Sequence, residues 1–128
     1  PVLSLAAIRG SLDTIKMAGG IKTLRQKALK LTGFMRYLLE TELSSDLDIL
    51  TPADMRFAGT QLSIAIKLKD GDDSERGKKI FDAIEDKGVT GDWRYPNVIR
   101  VAPVPQYNTF EDAFKFVQIL KTAIQVNA

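Results

Sequence analysis

The segment from Asp92 to Asn108 has the clearest capacity for chemistry, because it places one arginine inside an apolar strand. Arg100 lies between Ile99 and Val101, and strand side chains alternate between faces, so these neighbours set its direction. A guanidinium is costly to desolvate there unless it meets an anion, and its fork of N–H donors suits a carboxylate. The spacing alone favours an arginine on the polar face of a half-exposed strand, and anion binding is the alternative.

Two prolines follow this strand and stiffen the chain beyond it. Pro103 and Pro105 hold the backbone extended, because proline restricts both its own φ and the conformation of the preceding residue. A rigid loop beside a directed arginine is an arrangement that suits recognition of a small carboxylate.

Three other groups of residues have a simpler structural interpretation. The acidic run at 70–73 lacks the later glutamate that completes a calcium loop, so a polar turn that caps a helix is favoured. Asp46 and Asp48 could pair as carboxylates, but surface charge is the default interpretation. Trp93 and Tyr95 share a strand face and are more typical of packing anchors than of a base-stacking platform.

The composition excludes several kinds of active site. The 128 residues include no Cys and no His, which removes thiolate chemistry, an imidazole base and histidine metal ligands. We expect no metal site. The net charge of +2 is too small to indicate nucleic acid or a membrane as a partner. No apolar run reaches the roughly 18 residues of a membrane-spanning helix. These properties favour a part of a larger protein or a binding module.

Hydrophobic periodicity predicts the elements that position these residues. The expected helices are 2–18, 21–43, a helix through 80–84 that ends at Gly88, and a last helix capped by Asn108 or Thr109 with Glu111 or Asp112 as the capping-box acid. The expected strands are 47–50, 60–68, 89–95 and 97–101. This order predicts an α+β fold, with helices on one face of a mostly antiparallel sheet.

The apolar faces of the helices predict the core. In the second helix the expected buried stripe is Ile21, Leu24, Ala28, Leu31, Met35 and Leu38, and the expected solvated face carries Lys22, Arg25, Lys27, Lys30 and Arg36. In the last helix the expected buried face is Phe110, Ala113, Phe114, Val117, Leu120 and Ile124. The first helix is apolar on nearly every side, which predicts that preceding chain or a partner covers it.

The chain resembles the kynureninase family. The resemblance is carried by Asp-Trp-Arg-x-Pro-Asn-Val-Ile-Arg-Val-Ala-Pro-Val-Pro-x-Tyr-Asn-Thr-Phe at 92–110, with shorter similar stretches at 59–63 and 31–38. It implies a connecting helix at 1–20 that leads out of a large domain, followed by a C-terminal small domain at 21–128. The whole would be a fold-type I pyridoxal phosphate enzyme, a cytoplasmic homodimer.

Such enzymes hydrolyse L-kynurenine or 3-hydroxykynurenine to anthranilate or 3-hydroxyanthranilate and L-alanine, in tryptophan catabolism and NAD biosynthesis. The resemblance implies that Arg100 binds the α-carboxylate of the substrate. It also implies that cofactor-binding and catalytic residues lie in the large domain, so this chain alone is expected to be inactive. Ala58 stands where the family usually has an arginine before Gly-x-Gln, and Arg56 is two residues earlier.

Two alternatives remain at this point. The chain could be the small domain of another enzyme related to class V aminotransferases, such as a desulfurase or an epimerase, since these share the fold and a carboxylate-binding arginine. It could also be a stand-alone α+β module that binds a small acid or RNA without catalysis.

Overall fold

The computed structural model describes residues 1–67 and 74–127. Within these ranges the elements are the helices α1 (Val2–Met17), α2 (Gly20–Leu43), α3 (Ser74–Glu85) and α4 (Phe110–Val126) and the strands β1 (Leu47–Ile49), β2 (Leu62–Ile66), β3 (Asp92–Arg94) and β4 (Val98–Val101). Their order is the predicted one, and every strand is shorter than predicted. The acidic run at 70–73, expected to form a polar turn, lies outside the described residues.

The strands form one antiparallel sheet in the order β1-β2-β4-β3. In the central pair, Leu62 lies opposite Val101 and Ile64 lies opposite Ile99. Residues paired in register project to the same face, so these apolar side chains line one side of the sheet. The other side carries the alternate residues Asp48, Ser63, Ala65, Asp92, Arg94, Val98 and Arg100.

Helices α2, α3 and α4 cover the apolar side of the sheet. The core is made of fully buried side chains from both layers, namely Leu31, Leu39, Leu62, Ile64, Ile66, Ile80, Ile84, Ile99, Val117 and Leu120. The predicted α+β arrangement, with helices on one face, is confirmed. The face that carries Arg100 is turned away from these helices.

Helix α2 departs from its predicted faces at both ends of the stripe. Ile21 was expected in the core but is 69% exposed, and the buried line continues through Leu39 and Leu43 instead of Leu38. A helix of 24 residues is about 36 Å long, and the exposure of Ile21 shows that its first turn lies outside the core. Arg36, expected on the solvated face, is buried.

Helix α4 begins as predicted but buries a different face. Thr109 is the cap: its hydroxyl accepts from the Asp112 backbone N–H at 3.1 Å, and the Asp112 carboxylate accepts from the Thr109 N–H at 2.8 Å. Phe110 and Phe114 were expected in the core but are 45% and 46% exposed, whereas Phe116 is buried. The buried stripe is rotated toward Phe116 because α4 packs simultaneously on α2 and α3.

A glycine with a positive φ marks the end of helix α3. Gly88 has a φ of +82° and ends α3 as predicted, with its N–H donating to the Glu85 carbonyl and the Val89 N–H donating to the Ile84 carbonyl. Helix α1 has no buried residue, and its apolar side chains are exposed except for the half-buried Ile15. The expectation that other chain covers α1 stays a prediction.

Candidate functional site

Arg100 lies in β4 on the sheet face opposite the core. Its neighbours Ile99 and Val101 are buried under the helices, so strand alternation turns the arginine outward. The side chain is 32% exposed, which leaves the guanidinium within reach of a ligand on that side of the sheet. Ser63 of β2 lies opposite Arg100 in register and shares this face.

Asp92 lies opposite Arg100 on the other side, in the edge strand β3. Arg100 Nε donates to Asp92 Oδ2 at 2.6 Å, and Arg100 Nη2 donates to the same oxygen. Arg94 Nη2 also approaches this oxygen, at 3.1 Å. The hydrogen bond from Arg100 is the main reason that the pKa of Asp92 lies below its ordinary value.

These contacts use only one edge of the Arg100 guanidinium. Nε and Nη2 form the edge that faces Asp92, whereas Nη1 makes no hydrogen bond to any residue within 1–67 and 74–127. A guanidinium has five N–H donors, and the Nη1–Nη2 edge presents two of them in parallel. The site can therefore bind a second carboxylate in a bidentate manner while Asp92 stays in place.

The proline loop after β4 is closed by Asn108. The Asn108 side chain accepts from the Val104 N–H at 2.8 Å, and the Asn108 N–H donates to the Val104 carbonyl, also at 2.8 Å. Asn108 was considered as the cap of α4, and the structure gives that role to Thr109. Pro103 is buried at the start of the loop, so the path from Arg100 to α4 is anchored at both ends.

A cavity of 530 Å³ opens between this loop and α4. Its walls include Val101, Asn108 and Phe116. Val101 faces the core, so the cavity lies on the side of the sheet opposite Arg100. It is therefore separate from the arginine site.

Two of the other candidate groups do not form the sites that their spacing allowed. Trp93 packs on Phe81 with ring centroids 5.9 Å apart, which confirms it as a packing anchor. Tyr95 lies beyond the end of β3 and is exposed, so placing it with Trp93 on one strand face was wrong. Asp48 pairs with Lys67 at 3.3 Å.

Asp46, which was considered as a partner of Asp48, has its own local contact. It accepts a hydrogen bond from the hydroxyl of Ser45 at 2.6 Å. Both aspartates therefore have the surface contacts expected of ordinary charged residues.

Two arginines of α2 have a role that the sequence analysis missed. Arg25 Nη2 donates to the carbonyls of Met55 at 2.7 Å and Ala58 at 2.9 Å. Arg36 Nη2 donates to the carbonyls of Thr51 and Pro52. The two arginines are three helical turns apart and so share one side of α2, which is the signal that could have revealed them.

These contacts tie the segment before β2 to the helix, including Ala58, the position where the resemblance predicted an arginine. Ala58 cannot replace a guanidinium. Arg56 is exposed and its guanidinium binds Asp54, with Nη2 and Oδ2 2.6 Å apart. Arg56 therefore has a local partner and is directed to solvent.

A cofactor-linking lysine and a metal centre each have recognisable requirements. A lysine that links a carbonyl cofactor needs a buried setting that lowers its pKa, and every lysine among the described residues is exposed or half-exposed. The described residues contain no cluster of three His, Cys, Asp or Glu suited to a metal ion. Within 1–67 and 74–127, no helix has the length and apolar character needed to span a membrane. Among the described residues, Arg100 is thus a candidate for binding an anion, and no lysine lies in the buried setting that such a cofactor needs.

Comparison with known proteins gives the family. Residues 24–120 match the kynureninase C-terminal domain. A kynureninase of Stenotrophomonas maltophilia is 43% identical over 118 residues, which are 92% of this chain and 27% of that protein. A kynureninase of Xanthomonas campestris pv. campestris is 41% identical over 122 residues, 95% of this chain and 28% of that protein. A kynureninase of Christiangramia forsetii is 39% identical over 127 residues, which are 97% of this chain and 28% of that protein.

The chain spans about a quarter of the length of these curated relatives. The matched region contains both strands of the Arg100–Asp92 pair and the α2 arginines that hold the segment before β2. The chain therefore belongs to the kynureninase C-terminal domain family.

Proposed function

We propose that this chain is the substrate-carboxylate-binding domain of a kynureninase, with Arg100 as the residue that binds the α-carboxylate of L-kynurenine or 3-hydroxykynurenine. The observation that carries the proposal is the free Nη1–Nη2 edge of Arg100 on the open face of the sheet. Membership of the family supports it.

The chemistry of the site follows from two parallel N–H donors. A bidentate guanidinium–carboxylate pair fixes both the position and the plane of an amino-acid substrate. Orientation of this kind aligns the bond at Cα that reacts, which is a large part of catalysis in such enzymes. Pyridoxal phosphate, when bound by the large domain, supplies the electron sink for carbanion chemistry at Cα.

The overall reaction in this proposal is hydrolysis of a carbon–carbon bond. Water adds across the bond between the β and γ carbons of the side chain, which yields L-alanine and anthranilate or 3-hydroxyanthranilate. The groups that move protons in those steps would lie in the large domain, because the described residues of this chain offer no acid or base beside Arg100 except Asp92, which is ion-paired.

The division of the chain belongs to the same proposal. Residues 1–20 would connect the large domain to the small domain at 21–128, and the enzyme would act as a homodimer. The exposed apolar sides of α1 support this, because a helix that is apolar all round needs cover.

The test is the variant Arg100→Ala in the complete enzyme loaded with pyridoxal phosphate. Loss of the bidentate pair should cost about 2–5 kcal/mol of substrate and transition-state binding, measured as kcat/KM for L-kynurenine. Lys67→Ala is the control, because Lys67 is also an ion-paired cation beside this sheet. An unchanged kcat/KM in Arg100→Ala would refute the role.

A further inference from the structure

We infer that Asp92 is a positioning residue for Arg100: it holds the Nε–Nη2 edge so that the Nη1–Nη2 edge is presented to the substrate carboxylate. This inference rests on the proposed function of Arg100 and names a second residue of the same site.

The sheet determines how the two side chains meet. Asp92 and Arg100 are direct partners in the β3–β4 ladder, so their Cβ atoms are about 5 Å apart and project to the same side. The carboxylate accepts from Nε and Nη2 through the single oxygen Oδ2. A guanidinium held along one edge loses rotation about its terminal bonds, and less entropy remains to be lost when a ligand binds the other edge.

The charges of the cluster allow a second anion to bind. Asp92 receives contacts from both Arg94 and Arg100, so the three side chains together keep one net positive charge. A substrate carboxylate therefore meets a cation and not a neutral pair. The Arg94 side chain is 58% exposed, so the Arg100 guanidinium is the more constrained of the two.

The experiment is a double-mutant cycle in the complete enzyme loaded with pyridoxal phosphate. Asp92→Ala and Asp92→Asn are made in the parent and in the Arg100→Ala background, and kcat/KM and KM for L-kynurenine are measured. Asp48→Asn is the control, because Asp48 is an exposed aspartate on the same face of the sheet that pairs with Lys67. Far-ultraviolet circular dichroism shows whether each variant is folded.

We expect Asp92→Ala to lower kcat/KM about tenfold in the parent, mainly through KM, as is typical of coupled contacting residues. Asp92→Asn keeps an acceptor oxygen, so it should lower kcat/KM by a smaller factor than Asp92→Ala does. Neither change should lower kcat/KM further once Arg100 is alanine, and Asp48→Asn should have no effect in either background.

The outcomes separate this inference from the proposed function. If each Asp92 variant lowers kcat/KM by the same factor in the parent and in the Arg100→Ala background, Asp92 acts independently of Arg100 and the inference is wrong. It is also wrong if neither variant affects kcat/KM in the parent while Arg100→Ala does. If Arg100→Ala itself has no effect, the proposed function fails, and the positioning role fails with it. Asp92→Asn decides the matter if Asp92→Ala does not fold, because it preserves the size of the side chain.

Discussion

The indole of Trp93 lies directly against Gly77. A Cβ atom built at Gly77 would be 2.7 Å from Cη2 of Trp93, so α3 and β3 meet where no larger side chain fits. Trp93 faces the core, and strand alternation turns its neighbour Asp92 to the opposite side. The packing of α3 on Trp93 therefore helps to determine where Asp92 is presented to Arg100.

Gly77→Ala should destabilise the fold, although alanine is the better helix former by about 1 kcal/mol. The Trp93 ring would have to shift while it is also packed on Phe81, and overpacking of this kind costs about 1–3 kcal/mol. Gly33→Ala is the matched control, because Gly33 is inside α2 with nothing within 4 Å of its Cβ position. Urea unfolding measures both variants, and similar free energies of unfolding for the two would contradict the contact.

Arg36→Met should destabilise the chain by removing the hydrogen bonds that hold the segment before β2. Arg36 is buried and donates to the Thr51 and Pro52 carbonyls, and hydrogen bonds from a charged donor are worth about 1.5–3 kcal/mol. Lys30→Met on the exposed side of α2 is the control. The prediction is wrong if Arg36→Met and Lys30→Met lower the urea midpoint of unfolding by the same amount.

Glu42 should make the stability of the chain depend on pH. Hydrogen bonds from Lys121 and then from Gln118 hold the pKa of Glu42 below its ordinary value of 4.5, and these contacts join α2 to α4. Because the folded-state pKa is lowered, the stabilisation is present above the unfolded pKa and is lost as pH falls through the folded pKa.

Thermal unfolding as a function of pH tests this dependence. Glu42→Gln should have a lower Tm than the parent near pH 7, and the difference should narrow as the pH falls below 4.5. Lys121→Met should give the same narrowing, since it removes the other half of the pair. If the Tm difference between the parent and Glu42→Gln stays constant as the pH falls through the acidic range, the role of the Glu42 carboxylate is contradicted.

The 128-residue chain by itself should neither bind the cofactor nor turn over substrate. Its described lysines lack the burial that a cofactor-linking lysine needs. We expect no visible absorbance of bound pyridoxal phosphate after dialysis and no hydrolysis of L-kynurenine. Turnover by the isolated chain would overturn the view that the catalytic residues lie elsewhere.

Features that depend on local periodicity could be predicted from the sequence. The alternation of Leu62, Ile64 and Ile66 identified β2. The residue types at 108–112 predicted a capping box with Asn108 or Thr109 as the cap, and the structure has it at Thr109 and Asp112. Both signals involve residues a few positions apart, whose relative directions follow from the backbone conformation alone.

Features that depend on what packs against a face could not be predicted in this way. Arg36 has the spacing of a solvated residue, but the segment at 51–52 covers it. Phe114 and Phe116 are both aromatic residues of α4, and only the positions of α2 and α3 decide which one is buried. A helix face has no intrinsic burial, because burial is a property of the partner surface.

The sequence by itself determined the direction of Arg100, since two apolar neighbours in a strand leave an outward face for the residue between them. Its motifs also indicated the family. Only the tertiary structure decided that Asp92 is the partner of Arg100 and that Nη1 of the guanidinium bonds none of the described residues. The physical reason is that the register of two paired strands depends on the turn that joins them, here at 95–97, and on which faces are buried, whereas side-chain alternation is set within a single strand.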